Sequence, residues 1–234
     1  MKEKTIGILG GMGPEATVEL FHMIIKATPA KKDQDHLRII INNNPKTPDR
    51  TEAILKGKVN LLPILVEGAR NLEKAGADFI IIPCNTAHYY YEDLKKKVGI
   101  PILNMIELTA EKLVKMHPAI KKAGVIGTTG TVKTGIYDQA LARRGITVYY
   151  PTELQNRVMK AIYEIKAGKT KNAKNIIIEA IKYLAYSGAQ VVIIGCTEAS
   201  LILKNEVKII PIIDSLKVLA EATVAIALGR CELT

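Results

Sequence analysis

The chain repeats itself, and that repetition limits its fold more than any other feature. Lys4-Thr5-Ile6-Gly7-Ile8-Leu9-Gly10-Gly11-Met12-Gly13 aligns with Lys121-Lys122-Ala123-Gly124-Val125-Ile126-Gly127-Thr128-Thr129-Gly130, and the three glycines spaced three apart coincide. The stretch from Gly76 through Cys84 to His88 aligns with the stretch from Gly188 through Cys196 to Ser200. Ile100-Pro101-Ile102-Leu103-Asn104 then matches Ile210-Pro211-Ile212-Ile213-Asp214. The offset drifts from 117 to 112 to 110 residues, as loops of unequal length would make it. Chance similarity between β-branched runs can mimic one such landmark, but three in the same order indicate a duplicated unit.

The repeated unit is α/β. Short β-branched runs at Thr5–Leu9, Arg38–Ile41, Phe79–Ile82, Ala123–Ile126, Ile146–Tyr150 and Val191–Ile194 read as strands. Between them, Leu62, Leu65, Val66, Ala69 and Leu72 recur at helical spacing before Gly76, and Ile177, Ile181, Leu184 and Ala185 do so before Gly188. A glycine just past the last periodic residue is where a helix terminates in the left-handed conformation. Apolar strands alternating with amphipathic helices predict parallel sheets covered on both faces. The duplication predicts two such lobes: residues 1–103 with 211–234 in one, and residues 104–210 in the other, facing each other across a cleft.

Composition removes several classes of function. Hydrophobic residues make up 48% and charged residues 24%, an ordinary globular balance that excludes a disordered or collagenous chain. Three cysteines without close pairing do not form a secreted disulfide framework. No signal peptide is apparent at the N-terminus, and no apolar run reaches the roughly 18 to 20 residues of a membrane helix. A soluble cytoplasmic protein without membrane contact is expected. The net charge of +10 comes from lysine clusters such as Lys95-Lys96-Lys97. These lack the interleaved aromatic residues of a nucleic-acid platform, so no nucleic-acid partner is expected. A positive field instead suits capture of a small anion.

Duplication places one cysteine in each lobe at the carboxyl end of a strand, where ligands bind in open α/β sheets. Cys84 precedes Asn85-Thr86 and Cys196 precedes Thr197-Glu198, polar pairs able to start a helix. Helix N-terminal amides favour a thiolate and bind anions. Two thiols on opposite walls suit inversion of an acidic C–H centre, one removing a proton from one face while the other delivers a proton to the opposite face. A thiol with a reference pKa of about 8.5 can fill either role. Other readings exist. The two cysteines can be small buried hydrophobes, or a dithiol redox pair without the C-x-x-C spacing. The loop Gly10-Gly11-Met12-Gly13-Pro14 resembles a dinucleotide-binding turn but departs from G-x-G-x-x-G. His22, His36, His88 and His117 are too scattered for a zinc site, and His88 is expected to be a helix-surface or capping group. A two-lobed binding protein without catalysis is a further alternative.

The motifs Pro83-Cys84-Asn85-Thr86-Ala87-His88 and Gly195-Cys196-Thr197-Glu198 closely resemble those of the aspartate/glutamate racemase family. The resemblance runs from Gly10-Gly11-Met12-Gly13-Pro14 to Ile213-Asp214, and Glu198 resembles the aspartate racemase branch. It implies two pseudo-symmetric Rossmann-like lobes, a homodimer, and catalysis without pyridoxal phosphate, metal or nucleotide. It also implies that Cys196 takes the α-proton from the L-enantiomer and Cys84 from the D-enantiomer. Arg50 matches a family arginine that binds the substrate side-chain carboxylate, and Lys166 a substrate-binding lysine. Met12, Gly13, Asn85, Thr86, Thr128, Thr129, Gly130, Thr197 and Glu198 resemble the lining of the α-amino and α-carboxylate pocket. Cys231 matches no functional position and reads as structural. The expected activity is racemisation of a dicarboxylic amino acid, aspartate above glutamate. Related members that act as broad-specificity, glutamate or hydantoin racemases, or as maleate isomerases, remain alternatives.

Overall fold

A computed structural model describes residues 3–203 and 208–232. The first half runs β1 (Ile6–Gly10), α1 (Pro14–Ala27), β2 (Ile39–Asn43), α2 (Arg50–Lys56), α3 (Leu62–Lys74), β3 (Phe79–Ile81), α4 (Tyr91–Lys95) and α5 (Met105–Met116). The second runs β4 (Lys122–Gly127), α6 (Thr129–Thr134), α7 (Ile136–Ala142), β5 (Thr147–Tyr149), α8 (Gln155–Lys166), α9 (Thr170–Tyr186), β6 (Val191–Gly195), α10 (Thr197–Leu203), β7 (Ile212–Asp214) and α11 (Ser215–Ala227). All six strands expected from the sequence form. Gly76 (φ 92°) and Gly188 (φ 94°) take left-handed conformations after α3 and α9.

Two parallel sheets result, in the orders β2-β1-β3 and β5-β4-β6-β7. An isolated parallel bridge from Ile80 to Ile102 places the Ile100–Asn104 segment beside β3, as β7 lies beside β6. The repeat seen in sequence is thus a repeat of strand order. Side chains alternate between faces, as strand geometry requires. Ile6, Ile8, Phe79 and Ile81 pack towards α1 and α11, whereas Leu9, Ile80 and Ile82 pack towards α3. In the second sheet Val191 and Ile193 face α5 and α7, and Val192 and Ile194 face α8 and α9. Burial on both faces explains why these strands are apolar throughout.

The division expected at residue 211 does not follow the sheets. Ile212–Asp214 pairs with β6 in the second sheet, while the next helix, α11, packs through Leu216 and Leu219 on the first. Conversely, α5 follows the segment bridged to β3 but sets Ile106, Ala110 and Leu113 against the second sheet. Register with β6 fixes the strand, and the apolar face of each helix selects the opposite sheet.

Candidate functional site

The carboxyl ends of β3 and β6 deliver the two cysteines to one small space between the lobes. That space is lined by Met12, Asp49, Arg50, Thr51, Cys84, Asn85, Thr86, Thr128, Lys166, Gly195, Cys196, Thr197 and Glu198. Its free volume is about 10 Å³, room for about one water molecule, so a larger ligand enters only when the lobes or their side chains part. A far larger cavity, about 1060 Å³, lies between α1, α10 and α11, but neither cysteine lines it. The smaller space holds the reactive groups and is the candidate site.

Cys84 and Cys196 are both free and buried. Cys196 Sγ donates to Glu198 Oε2 at 3.2 Å. Burial pushes the Cys196 thiol well above its ordinary range, the Glu198 carboxylate pushes it further, and Lys166 opposes both. This differs from the thiolate preference expected of a helix N-terminus. Desolvation and a carboxylate in contact outweigh the partial charge of the short helix α10. On the other side, Asn85–Thr86 opens not an α-helix but a 3-10 turn over Thr86–Tyr90. His88 is buried rather than on a helix surface. Its Nε2 accepts from the Met105 amide at 3.1 Å at the start of α5, while Nδ1 lies 2.9 Å from the Cys84 carbonyl. One nitrogen accepts, so the other carries the proton and donates to that carbonyl.

Charge is supplied by residues brought in from loops and helix ends. Asp49 caps α2 by accepting from the Glu52 amide, which places Arg50 in the first turn. The Arg50 guanidinium donates to the carbonyls of Thr47 (3.2 Å), Pro48 (3.0 Å) and Met12 (3.1 Å). Its Nε is buried without a hydrogen-bond partner, as is Glu198 Oε1. Lys166 Nζ lies 3.8 Å from Asp49 Oδ2 and 4.0 Å from Glu198 Oε1, so its charge is shared between carboxylates of the two lobes. The Thr86 hydroxyl meets those of Thr128 (2.8 Å) and Thr131 (3.0 Å) across the lobes, and these two lie 3.2 Å apart. Thr197 Oγ1 donates to the Pro83 carbonyl at 3.3 Å.

Of the residues singled out in sequence, Met12, Arg50, Cys84, Asn85, Thr86, Thr128, Lys166, Cys196, Thr197 and Glu198 converge on the space, whereas Gly13, Thr129 and Gly130 do not line it. Gly13 stands beside Glu198, where an added Cβ would lie 3.3 Å from Oε1. Thr129 donates its amide to Met159 Sδ and faces a separate depression along α8. Gly130 lets α6 approach the first lobe, since a Cβ there would sit 2.9 Å from Thr51 Oγ1 and from Thr86 Cγ2. Asp49, Thr51 and Gly195 were not singled out. The Asp49-Arg50-Thr51-Glu52 run, an acidic cap three residues before a glutamate, is the local signal that could have pointed to Asp49. Cys231 is exposed, not part of the core. Among the described residues, no three His, Cys, Asp or Glu side chains group as a metal site. Nor is any described helix long and apolar enough to cross a membrane.

Comparison with known proteins bears on the family and the fold. The family model described as Asp/Glu/hydantoin racemase matches residues 9–223. The broad specificity amino-acid racemase RacX of Bacillus subtilis is 34% identical over 224 residues, spanning 94% of this chain and 96% of the relative. The aspartate racemase of Picrophilus torridus superimposes with a TM-score of 0.87 at 35% identity, covering 96% of this chain and 94% of that one. An aspartate racemase homologue from Pyrococcus horikoshii gives 0.77 at 27% identity, covering 96% of this chain and 99% of that one. A glutamate racemase from Francisella tularensis shares the fold at 17% identity and a TM-score of 0.76. With this match across nearly its whole length, the chain belongs to the Asp/Glu/hydantoin racemase family.

Proposed function

We propose that the protein is an amino acid racemase that needs no cofactor and inverts aspartate by proton transfer between Cys84 and Cys196. The observation carrying this reading is a pair of buried groups of opposite charge lining the same space as the two thiols, each without a hydrogen-bond partner: the Nε–H of Arg50 and Oε1 of Glu198, the latter only at ion-pair range from Lys166. Buried polar groups are rarely left without partners, and these two match a carboxylate and an ammonium group. In this reading Glu198 takes the substrate ammonium and Arg50 the side-chain carboxylate. Thr86 and Thr128 direct hydroxyls to the α-carboxylate, and the thiols stand on opposite faces of Cα. One thiolate removes the α-proton, and the opposite thiol then protonates the carbanion on its other face. Each turnover therefore leaves the thiolate on the other cysteine, ready for the reverse direction. The protein works in this reading as a cytoplasmic homodimer.

A broader substrate range has its own support. Lys166 is already countered by Asp49 and Glu198, leaving Arg50 as the main group selecting a second carboxylate. Glutamate and neutral amino acids then follow as slower substrates. Incubation with single L-amino acids in deuterium oxide, without added cofactor, tests both readings through chiral chromatography and mass. Inversion of aspartate with deuterium at Cα is expected. Aspartate left untouched while a neutral amino acid racemises overturns the substrate, and no turnover of any amino acid overturns the activity.

A further inference from the structure

Behind the two thiols lies a fully buried polar chain that no proton transfer uses. Asn85, next to Cys84, accepts from the Tyr137 hydroxyl at 2.6 Å and donates its amide to Ser215 Oγ at 3.1 Å. Ser215 in turn donates to the Ile194 carbonyl at 2.8 Å, two residues before Cys196. Tyr137 and Ser215 are both 0% exposed, and Asn85 only 2%. The ring of Tyr137 also supports the second thiol. A Cβ on Gly195 would fall 2.9 Å from Tyr137 Cε2, so glycine lets the strand end rest directly on that ring. Burial holds the phenol far above its ordinary range, which keeps it a neutral donor.

The Asn85 side chain therefore faces its own support as well as the cleft. One of its amide hydrogens and one oxygen lone pair are committed away from any ligand, out of two of each. Tyr137 touches the neighbours of both cysteines, Asn85 by its hydroxyl and Gly195 by its ring, from a helix of the second lobe. We infer that Tyr137 is a positioning residue that, through Asn85 and Ser215, sets the spacing of the two thiols across the substrate α-carbon. The need for such a device follows from the two-thiol reading, on which this inference rests. Proton abstraction from one face requires one thiol in reach, whereas inversion requires both at once. A displacement of about 1 Å can lower the rate of a positioned reaction by about a hundredfold.

Tyr137→Phe keeps the ring under Gly195 and removes only the hydroxyl, and Ser215→Ala opens the circuit at its other end. The measurement is the ratio of deuterium incorporated with retention to deuterium incorporated with inversion, using aspartate in deuterium oxide, alongside kcat and KM. In both variants kcat should fall about tenfold or more while KM stays close to that of the unaltered protein, and the retention-to-inversion ratio should rise several-fold. The ratio is a property of each turnover, so a smaller folded fraction does not change it. An unchanged ratio, with or without a fall in kcat, overturns the inference. Cys84→Ala and Cys196→Ala separate this from failure of the underlying reading. If they abolish inversion while the Tyr137 and Ser215 variants keep the original ratio, the two-thiol reading stands and the positioning role falls. If they leave inversion intact, the two-thiol reading itself falls.

Discussion

Replacing Arg50 by lysine separates charge from geometry. The guanidinium is anchored by three backbone carbonyls at 3.0 to 3.2 Å and keeps its Nε–H free. A lysine brings the same charge but only three donors on a single atom. It cannot both hold the Met12, Thr47 and Pro48 carbonyls and present a flat edge to a carboxylate. A hydrogen bond to a charged group contributes about 1.5–3 kcal/mol, and the aspartate carboxylate can accept two from a guanidinium edge where the asparagine amide offers one acceptor oxygen. Arg50→Lys should therefore lower kcat/KM for aspartate by about one to two powers of ten. Asparagine has nearly the same shape but neither the charge nor the second acceptor oxygen, so its kcat/KM should fall by a smaller factor. Initial rates by chiral chromatography give the aspartate-to-asparagine ratio, with Lys96→Ala as a surface control because that side chain is 71% exposed. Equal losses for both substrates would refute the reasoning and make Arg50 a brace for the loop over residues 47–50. Rates matching the surface control would remove Arg50 from both roles.

Three other substitutions test separate parts of the site. Cys84→Ala should abolish net inversion yet leave slow deuterium exchange into L-aspartate, with Cys196→Ala the mirror case for D-aspartate; near-normal racemisation in both rejects the thiol pair. Glu198→Gln removes one of the two causes holding the Cys196 thiol up, so the rising limb of kcat against pH for L-aspartate should move to lower pH, and an unmoved limb rejects that coupling. Burial lowers the pKa of His88 from 6.5. Its contribution to stability is therefore present above that value and lost as pH falls through the folded-state pKa, at no more than about 1.4 kcal/mol per pH unit. His88→Gln should flatten the decline in Tm through this acidic range, and parallel melting curves would count against it.

The sequence made the strands legible because burial on both faces leaves an unbroken apolar run, and it made the cysteines legible because a repeat aligns them. The roles given to Arg50 and Glu198 came only from a family resemblance, since a single charged residue in the first turn of a helix carries no periodicity. Tyr137 and Ser215 gave no local signal at all. Tyr137 sits on an ordinary helix 52 residues from the Asn85 it binds, and only the close approach of the lobes turns it into a support. The boundary at residue 211 was misplaced for a related reason. Strand pairing and helix packing are both long-range choices, and here they select different sheets.

That divided choice bears on how the molecule assembles. α5 and α11 each leave the sheet their preceding strand belongs to and cover the other, as two neighbours exchanging arms would. Severed between α5 and β4, the first fragment would carry α5 with no surface to rest on, and its sheet would lack the apolar cover that α11 provides. The second fragment would be bare where α5 belongs. Each fragment closes one face of its own sheet, through α3 in the first and α8 and α9 in the second, but the opposite face of either sheet is covered only when the chain is whole. The candidate site, lined by residues of both repeats, therefore sits where the two halves depend on each other for cover.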